Sequence, residues 1–311
     1  MSPSAKLSPV AVTSVKSKST SQITSPRTGA DVRIACRNGS HTTTTAGLAP
    51  TYLQANLIIL PSRYANDFRV LCARNPVPCP LLAESAVVGK WDQVKSWIEG
   101  LEGNRVASGV DIRQDAPKYM VYKDSKLVKF QCDDIVAEWT EDHVAFFIGC
   151  SFSFESALTN VGLAPRHTIM NRVVPIYRTN ILLCPAGVFS GSTYMVSMRP
   201  YKKSEIEAVR SITRPYIATH GEPIAWGWDA VDKLGIKSID LPDWGDAPLT
   251  FDGHPLGDVK GDEEDIPVFW GCGVTPQEAV MRAGLEGTIM GHAPGHMLLL
   301  DCRDWDVVKE I

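Results

Sequence analysis

FIGCSFSFESALTNVG (147–162) and FWGCGVTPQEAVMRAG (269–284) are two versions of one pattern in this 311-residue sequence. Without a gap they share Phe, Gly, Cys, Ala and Gly at matching positions, 122 residues apart. After one short gap, HTIM (167–170) matches GTIM (287–290). Self-similarity at a fixed spacing is the signature of a repeat. The match therefore predicts an internal duplication of a strand–turn–helix unit.

In each copy an apolar strand leads into a tight turn and a helix. In the second copy, Thr275 is the expected N-cap, Pro276 the first helical residue and Glu278 the closing member of a capping box. Cys150 and Cys272 then lie at strand ends near helix N-termini, where free N–H groups and the helix dipole favour anions and lower a thiol pKa. Close packing alone is an alternative reason for Gly-Cys at a strand end, and the sequence leaves both open.

The composition is that of an ordinary globular protein. A net charge of −4, with 44% hydrophobic and 21% charged residues, suits one large domain or two modest ones. No apolar run approaches the roughly 18 residues of a membrane span, and the charge balance gives no basis for nucleic-acid binding. We therefore expect neither a membrane nor a nucleic-acid partner.

The eight cysteines form no C-x-x-C pair, and no apolar secretory segment is present. Neither a zinc site nor a disulfide framework is indicated, so we expect free thiols inside the cell and neither a metal nor a cofactor. Residues 1–27 are rich in Ser and Thr, basic and free of acids, which predicts a disordered tail before a folded unit at 28–311. A mitochondrial transit peptide has the same composition, so cytoplasmic and mitochondrial locations both stay open.

The remaining pattern mixes helices and strands. QANLIIL (54–60) predicts a buried strand and SRYANDFRVLCARNP (62–76) a helix. KYMVYKDSKLVKF (118–130) predicts a hairpin that turns at Asp124-Ser125. Strands and helices then alternate irregularly to the end, which favours an α/β or mixed α+β fold.

Polar residues at predicted strand ends are the candidates for substrate binding. VPIYRTN (174–180) and MVSMRP (195–200) each contribute an arginine. Arginines there suit bidentate capture of a carboxylate, and a structural ion pair accounts for them equally well. The substrate-binding candidates are Ser151, Arg178, Thr179, Asn180 and Arg199.

GHAPGHMLLLD (291–301) places His292 and His296 four residues apart. Pro294 and Gly295 exclude a helix there, and the glutamate of H-E-x-x-H metalloproteases is absent. The stretch predicts a loop that presents two imidazoles to one ligand, or else histidines held by backbone carbonyls. An unperturbed imidazole titrates near about pH 6.5 and suits proton transfer. The catalytic candidates are Cys150, Cys272, His292 and His296.

Seven short motifs follow one another in a fixed order. They are TAGLAPTYLQANLIILP (45–61), RNPVPCPLL (74–82), FFIGCSFSFESAL (146–158), VPIYRTN (174–180), SMRP (197–200), VFWGCGVTPQ (268–277) and HAPGHM (292–297). Over about residues 28–304 this set resembles a hydro-lyase family, once catalogued as a domain of unknown function, that includes the bacterial YcsI-like proteins. A related segment forms the N-terminal part of mitochondrial D-glutamate cyclase.

The resemblance implies a unit of two intertwined lobes and a carbon–oxygen lyase activity that eliminates water. In the cyclase a second domain follows this one and is an alternative location for the chemistry. One local departure is Thr51, where the family usually has glycine.

Three functions are consistent with these features. The first is a cofactor-independent hydro-lyase acting on a small carboxylic or amino acid, D-glutamate cyclase-like activity included, in which thiols and imidazoles move protons and arginines hold the carboxylate. The second, by architectural analogy, is a two-cysteine racemase or epimerase. The third is a non-catalytic carboxylate-binding module. The sequence leaves the oligomeric state, a homo-oligomer included, open.

Overall fold

The structure is a computed structural model that describes residues 28–308. The tail expected at residues 1–27 therefore lies outside the described residues. Helices and antiparallel strands are mixed along the described chain, which confirms the α+β class. Within this part of the chain, no helix has the length and apolar character that crossing a membrane requires.

The first half of the chain supplies most of a large sheet. Its elements are α1 (Gly29–Arg37), β1 (Tyr52–Pro61), α2 (Ala65–Arg74), β2 (Leu81–Ser85), β3 (Val94–Ser96), α3 (Gly103–Val106), β4 (Tyr119–Lys123), β5 (Lys126–Cys132) and β6 (His143–Gly149). The second half supplies a smaller sheet and two strands that return to the large one. Its elements are α4 (Glu155–Asn160), α5 (Arg166–Ile169), β7 (Ile176–Leu182), β8 (Thr193–Tyr201), α6 (Ile206–Thr213), β9 (Ala225–Trp226), α7 (Trp228–Lys233), β10 (Ile266–Gly271), α8 (Val274–Arg282), β11 (Thr288–His292) and β12 (Leu298–Arg303).

The large sheet has the order β3-β2-β6-β1-β11-β4-β5, and β12 also pairs with β1. β1 is its central strand and confirms the strand predicted at 54–60. Because side chains alternate along a strand, Leu57 and Ile59 enter one hydrophobic cluster while Ile58 and Leu60 enter another on the opposite face. β1 is therefore covered on both faces, which explains its almost uninterrupted apolar sequence.

The small sheet has the order β7-β8-β10-β9. Phe269 on β10 packs with Tyr177 on one face, and Trp270 packs with Phe154 on the other. Each sheet thus has apolar groups on both faces, and β6 and β10 carry the two Gly-Cys segments at their carboxyl ends.

The hairpin predicted at 118–130 is confirmed. Asp124 and Ser125 connect β4 to β5, with φ angles of 49° and 62°. Two consecutive positive φ angles form the mirror-image turn that matches the twist of a two-residue hairpin.

Thr51 lies in the left-handed region with φ 72°, a conformation that costs a β-branched residue energy and favours glycine. Arg303 donates from Nη1 to the Thr51 hydroxyl at 2.7 Å, which helps to hold this conformation. The departure noted in the sequence thus falls on a position where glycine is physically preferred.

One part of the expected repeat is wrong. Residues 167–170 lie on and just after α5, whereas 287–290 enter strand β11. The match of HTIM to GTIM therefore pairs a helix with a strand, and the two segments are not structurally equivalent.

Candidate active site

Cys150 and Cys272 occupy turns with the same hydrogen bonds. In each turn the cysteine carbonyl accepts the N–H of the residue three positions on, at 3.0 Å after Cys150 and 2.9 Å after Cys272. In each turn the backbone N–H of the residue two positions on also lowers the thiol pKa. The two cysteines therefore have matching backbone hydrogen bonds at the ends of β6 and β10.

The hydroxyl residue in each turn bonds to the neighbouring strand. Ser153 accepts the N–H of Gln54 on β1 at 3.4 Å, and Thr275 accepts the N–H of Met195 on β8 at 3.0 Å. The capping role expected of Thr275 is wrong, because α8 has Gly273 as its N-cap and Thr275 is already helical. The bond across to β8 takes the place of a bond to the helix's own backbone.

The glycines around the cysteines permit a close approach of the two turns. A Cβ added to Gly273 would lie 2.0 Å from Nδ2 of Asn56, which donates to the Gly149 carbonyl at 3.1 Å. A Cβ added to Gly149 would lie 2.0 Å from the Ala218 carbonyl oxygen. Close packing is thus one real reason for these glycines.

His220 joins the same junction. Its Nδ1 lies 2.8 Å from the Val77 carbonyl and its Nε2 lies 3.0 Å from the Gly149 carbonyl. Burial lowers the pKa of His220 to about 4, so at neutral pH the ring donates to one carbonyl only. A Cβ added to Gly271 would lie 3.4 Å from Nδ1 of His220, so this glycine leaves room for the ring. His220 is therefore held by backbone carbonyls. The sequence suggested that arrangement for His292 and His296 and not for His220.

Burial keeps both thiols protonated. It raises the pKa of Cys150 to about 12 and that of Cys272 to about 11. The N–H groups that face each sulfur lower the pKa, but by less than burial raises it. The expectation that the helix field makes these thiols acidic is therefore wrong.

Arg199 is fully buried, and each of its three guanidinium nitrogens donates a hydrogen bond. Its Nε donates to Oε1 of Glu155 at 2.9 Å, Nη1 to the Ser197 hydroxyl at 3.0 Å and Nη2 to the Ser151 hydroxyl at 3.1 Å. The carboxylate that Arg199 holds is therefore one of the protein's own. Ser151 accepts from Arg199, which leaves its own proton free to be donated.

Glu155 and His167 complete this network behind the Cys150 turn. Burial raises the pKa of Glu155, but Arg199 and His167 together hold it below its usual range. His167 Nε2 lies 3.3 Å from Oε1 of Glu155. Sequence reasoning missed His167, because nothing local in the chain connects it to a glutamate 12 residues earlier across a loop.

The three polar candidates on β7 do not converge. Thr179 donates to the Tyr194 carbonyl at 3.0 Å, and Asn180 donates to the Lys233 carbonyl at 3.1 Å. Arg178 forms an ion pair with Glu278 on α8. Because consecutive side chains of a strand point to opposite faces, three neighbours on β7 cannot serve one ligand.

A cavity of about 160 Å³ lies between the large sheet and α8. We call it the cavity beside Cys272, because Cys272 is not in its lining but packs with two residues that are. Val274 and Trp244 line it and also pack against the cluster that contains Cys272. Most of its walls are apolar. Its polar lining consists of Tyr122, Gln277, Glu278 and His292.

His292 ends β11 and lines this cavity as a neutral imidazole. Its Nδ1 accepts the N–H of Leu57 at 3.0 Å, and burial lowers its pKa to about 4. Because the shorter Leu57 contact is the N–H donated to Nδ1, we assign the proton to Nε2; Nδ1 also lies 3.3 Å from the Leu57 carbonyl oxygen. Nε2 lies 3.5 Å from the amide nitrogen of Gln277. Leu57 follows Asn56, so β1 connects the cavity directly to the Gly149 turn.

His296 lies in the turn after His292. It is partly buried, and its Nδ1 lies 2.7 Å from the Pro294 carbonyl oxygen. The turn contains Gly295 with φ 77°, as a non-helical loop requires. The structure thus places His292, and not His296, in the lining of the cavity.

Arg178 brings a positive charge to the exposed side of the cavity. Its guanidinium lies 5.4 Å from the centre of the Trp244 ring, and its Nε lies 3.9 Å from the Asp243 carboxylate. The Arg178 side chain is 41% exposed and does not itself line the cavity. Among residues 28–308, no group of three or more His, Cys, Asp or Glu is arranged to hold a metal ion.

An apolar cavity with a few convergent polar groups defines a small-molecule site. The D-glutamate cyclase family model matches residues 144–301. A Schizosaccharomyces pombe protein named "Putative hydro-lyase C5H10.01" is 44% identical over 271 residues, which cover 87% of this chain and 83% of its own. Two bacterial proteins, both named "Putative hydro-lyase", are similarly related. The one from Rubrobacter xylanophilus is 43% identical over 88% of this chain and 96% of its own, and the one from Natranaerobius thermophilus is 40% identical over 89% and 95%.

The chain therefore belongs to the D-glutamate cyclase family, together with relatives that carry the hydro-lyase name.

Proposed function

We propose that this protein is a cofactor-independent hydro-lyase that eliminates water from a small hydroxylated carboxylic or amino acid. The observation that carries the proposal is the cavity beside Cys272, a space of small-molecule size that Glu278 and His292 line and next to which Arg178 pairs with Glu278. The hydro-lyase names of the relatives support the reaction class. D-Glutamate cyclase-like activity is a different way of losing water, in which the amine forms an amide with the side-chain carboxyl group and that group's oxygen leaves as water. The matching family model supports it as an alternative to the elimination.

The carboxylate of the substrate binds Arg178 and displaces Glu278 from the ion pair. Glu278 then has a free carboxylate inside the cavity and accepts the proton α to the substrate carboxylate. Arg178 stabilises the negative charge that develops on the substrate carboxylate in the transition state.

The leaving hydroxyl needs a hydrogen-bond donor and a proton. Neutral His292 donates from Nε2 and orients the oxygen, and Cys272, still a thiol because burial raises its pKa to about 11, gives the proton. The electron pair of the broken C–H bond forms the new C=C bond, and the C–O electron pair leaves with oxygen as water. Transfer of the proton from Glu278 back to the Cys272 thiolate through solvent restores the enzyme.

Proton NMR in deuterated buffer tests this proposal. Small 3-hydroxy acids, serine-like amino acids and D-glutamate are each incubated with the protein. The expected result is loss of water from at least one hydroxylated acid, slowed 100-fold or more by Cys272→Ser. Cys184→Ser, which changes an exposed cysteine, is the matched control and leaves the rate unchanged. No water loss from any acid that binds would overturn the proposal.

A second candidate function is racemisation or epimerisation. The specific observation in its favour is the equivalent hydrogen-bonded environment of Cys150 and Cys272, since one thiolate would abstract the α-proton and the other thiol return it on the opposite face. The same NMR experiment separates the two reactions, because a racemase places solvent deuterium at the α-carbon without loss of water. A non-catalytic carboxylate-binding module gives neither signal.

We also propose that the two Gly-Cys units arose by internal duplication. In support, β1 and β8 are each followed within two residues by a short 3₁₀ turn, Ser62–Tyr64 and Lys203–Glu205, and each turn leads directly into a helix, α2 and α6. Both strands pair antiparallel with the strand that ends in Gly-Cys. The equivalent turn hydrogen bonds described above are a second line of support.

A further inference from the structure

A second, smaller cavity lies where α5 and the chain that follows it meet β8 and residues 246–249. Its volume is about 20 Å³, whereas one water molecule needs about 10–15 Å³. The exposed Val173 is part of its lining, so the cavity reaches the surface. The cavity beside Cys272 shares none of its lining residues.

Two buried side chains in this lining have polar atoms without a partner. Nε of Arg166 and Nδ1 of His167 form no hydrogen bond with any atom of residues 28–308. Arg166 is 6% exposed and His167 is 8% exposed. Nε2 of His167 lies 3.3 Å from Oε1 of Glu155, close enough for an ion pair although not aligned as a hydrogen bond. Buried polar atoms without a partner call for a water molecule or an ion.

Arg172 brings a further positive charge to the cavity. Its Nη2 donates to the Ala247 carbonyl at 2.9 Å, and within the described chain no carboxylate forms an ion pair with it. Asp246, the carboxylate of the lining, accepts the N–H of Val173 at 2.7 Å. The guanidinium of Arg172 therefore keeps N–H groups that can face an anion.

The charged groups around the His167 ring come from the cavity and from the ion pairs behind it. They are Arg166, Arg172, Arg199, Glu155, Asp246 and Asp265. The three arginines balance the three carboxylates, so the cluster is neutral while the ring is neutral. With the Nε2 proton directed at Glu155, Nδ1 donates only when the ring carries a second proton. The cluster then has a single net positive charge, which one monovalent anion neutralises.

We propose that this cavity binds one monatomic anion, a halide such as chloride, which accepts from Nε of Arg166 and Nδ1 of His167. The other lining residues are mostly apolar and include Met170, Pro175, Met198, Pro200 and Pro248. Such walls offer no donors to the additional oxygens of phosphate or sulfate, and the volume is too small for either. The ion holds the His167 ring beside Glu155. Arg199 connects Glu155 to Ser151 in the turn after Cys150, so the site lies behind that turn and is independent of the proposed lyase reaction.

Thermal unfolding of the full chain at constant ionic strength tests the proposal in solution. Sodium chloride or sodium bromide replaces sodium methanesulfonate in steps. We expect Tm to rise and saturate, by about 2–4 °C when the halide is at about ten times its dissociation constant. Affinity should increase as the pH falls from 8 to 6, because binding takes up a proton at His167. A Tm that does not depend on the halide would mean that the cavity holds only water, and the proposal would be lost.

Anomalous diffraction from a crystal soaked in sodium bromide locates the ion. The expected result is a bromide peak within hydrogen-bonding distance of Nε of Arg166 and Nδ1 of His167. A peak at this place without a saturable change of Tm would mean an adventitious ion only and would contradict the proposal. A saturable change of Tm with the bromide bound elsewhere would contradict it as well.

Variants show whether these side chains hold the ion. Arg172→Gln, at a partly buried position, should weaken halide binding tenfold or more. Arg74→Gln is the matched control, because exposed Arg74 also donates to a backbone carbonyl, that of Pro185, and should bind halide as the wild type does. His167→Gln cannot take up a proton, so its remaining affinity should not depend on pH. Unchanged affinity in Arg172→Gln, or an unchanged pH dependence in His167→Gln, would rule out this site.

Discussion

Arg178 on β7 and Glu278 on α8 form an ion pair across 100 residues of sequence, at the exposed side of the cavity beside Cys272. The pair links the small sheet to a helix that lines the cavity. It also places a carboxylate and a guanidinium next to the cavity in which we propose that a small acid binds. Exchange of one carboxylate for another costs little electrostatic energy, because Arg178 keeps a negative partner throughout.

Glu278→Gln should separate binding from proton removal. The amide cannot accept the α-proton, so we expect turnover of the substrate found in the NMR screen to fall 100-fold or more. Carboxylate binding should persist or tighten, because Arg178 no longer has to leave Glu278. Steady-state rates and calorimetry measure the two effects. Glu286→Gln, at an 85% exposed side chain, is the control, and turnover near the wild-type value in Glu278→Gln would contradict the assigned role.

The buried pair of Arg199 and Glu155 should dominate local stability. Arg199→Met leaves the Glu155 carboxylate buried without its main cation, which costs about 3–5 kcal/mol of unfolding free energy. The double variant Arg199→Met/Glu155→Leu removes both charges and should recover most of that loss. Urea denaturation gives the values.

The surface pair of Lys203 and Glu263 provides the comparison for this prediction. Both side chains are well exposed, so Lys203→Met should change stability little. A loss in Arg199→Met as small as in Lys203→Met would show that the buried pair is not a major source of stability.

Local features of the fold could be predicted from the sequence because their causes are local. The apolar run of β1 and the turn at Asp124-Ser125 are specified within a few residues of chain. The role of Arg199 could not be predicted, because its partner Glu155 lies 44 residues away and a substrate carboxylate would have suited the same guanidinium. Thr275 shows the same limit, since a bond to β8 overrides its capping tendency.

The site was predictable to a similar extent. The Gly-Cys match identified two equivalent turns, because the residues that build each turn are consecutive. The protonation of their thiols was not predictable, because it depends on burial by distant strands. His292 was found through its spacing to His296, yet only the fold reveals that Leu57 fixes its tautomer.

Stability should fall as the pH drops from about 6.5 to about 4. Burial lowers the pKa of His220 and of His292 to about 4 in the folded protein, while an unfolded histidine titrates near about 6.5. Between these values the unfolded chain binds more protons, so unfolding becomes easier as pH falls, by up to about 3 kcal/mol per histidine. Above about pH 6.5 this contribution is fully present. Urea denaturation between pH 4 and pH 8 measures it.

His292→Asn should reduce the loss of unfolding free energy between about pH 6.5 and about pH 4 by the contribution of one histidine, up to about 3 kcal/mol. His254→Asn, at an exposed position, is the control for loss of a histidine as such. An unchanged slope in His292→Asn would mean that His292 is charged in the folded protein, and its proposed role as a neutral donor would be lost.

The two site thiols should react slowly with iodoacetamide at neutral pH. Only a thiolate attacks the reagent, and burial raises the pKa of Cys150 to about 12 and of Cys272 to about 11. Cys184, which is exposed, should be alkylated first. Each unit of pH should raise the rates at Cys150 and Cys272 about tenfold, with Cys272 the faster of the two, since the thiolate fraction rises tenfold per unit below the pKa. Mass spectrometry of peptides after timed quenching at pH 7, 8 and 9 gives the three rates, and alkylation in urea shows the intrinsic reactivity of each cysteine. If Cys272 reacted as fast as Cys184 at pH 7, burial would not be suppressing its ionisation, and the protonated, shielded thiol that the proposed mechanism uses as its proton donor would be contradicted.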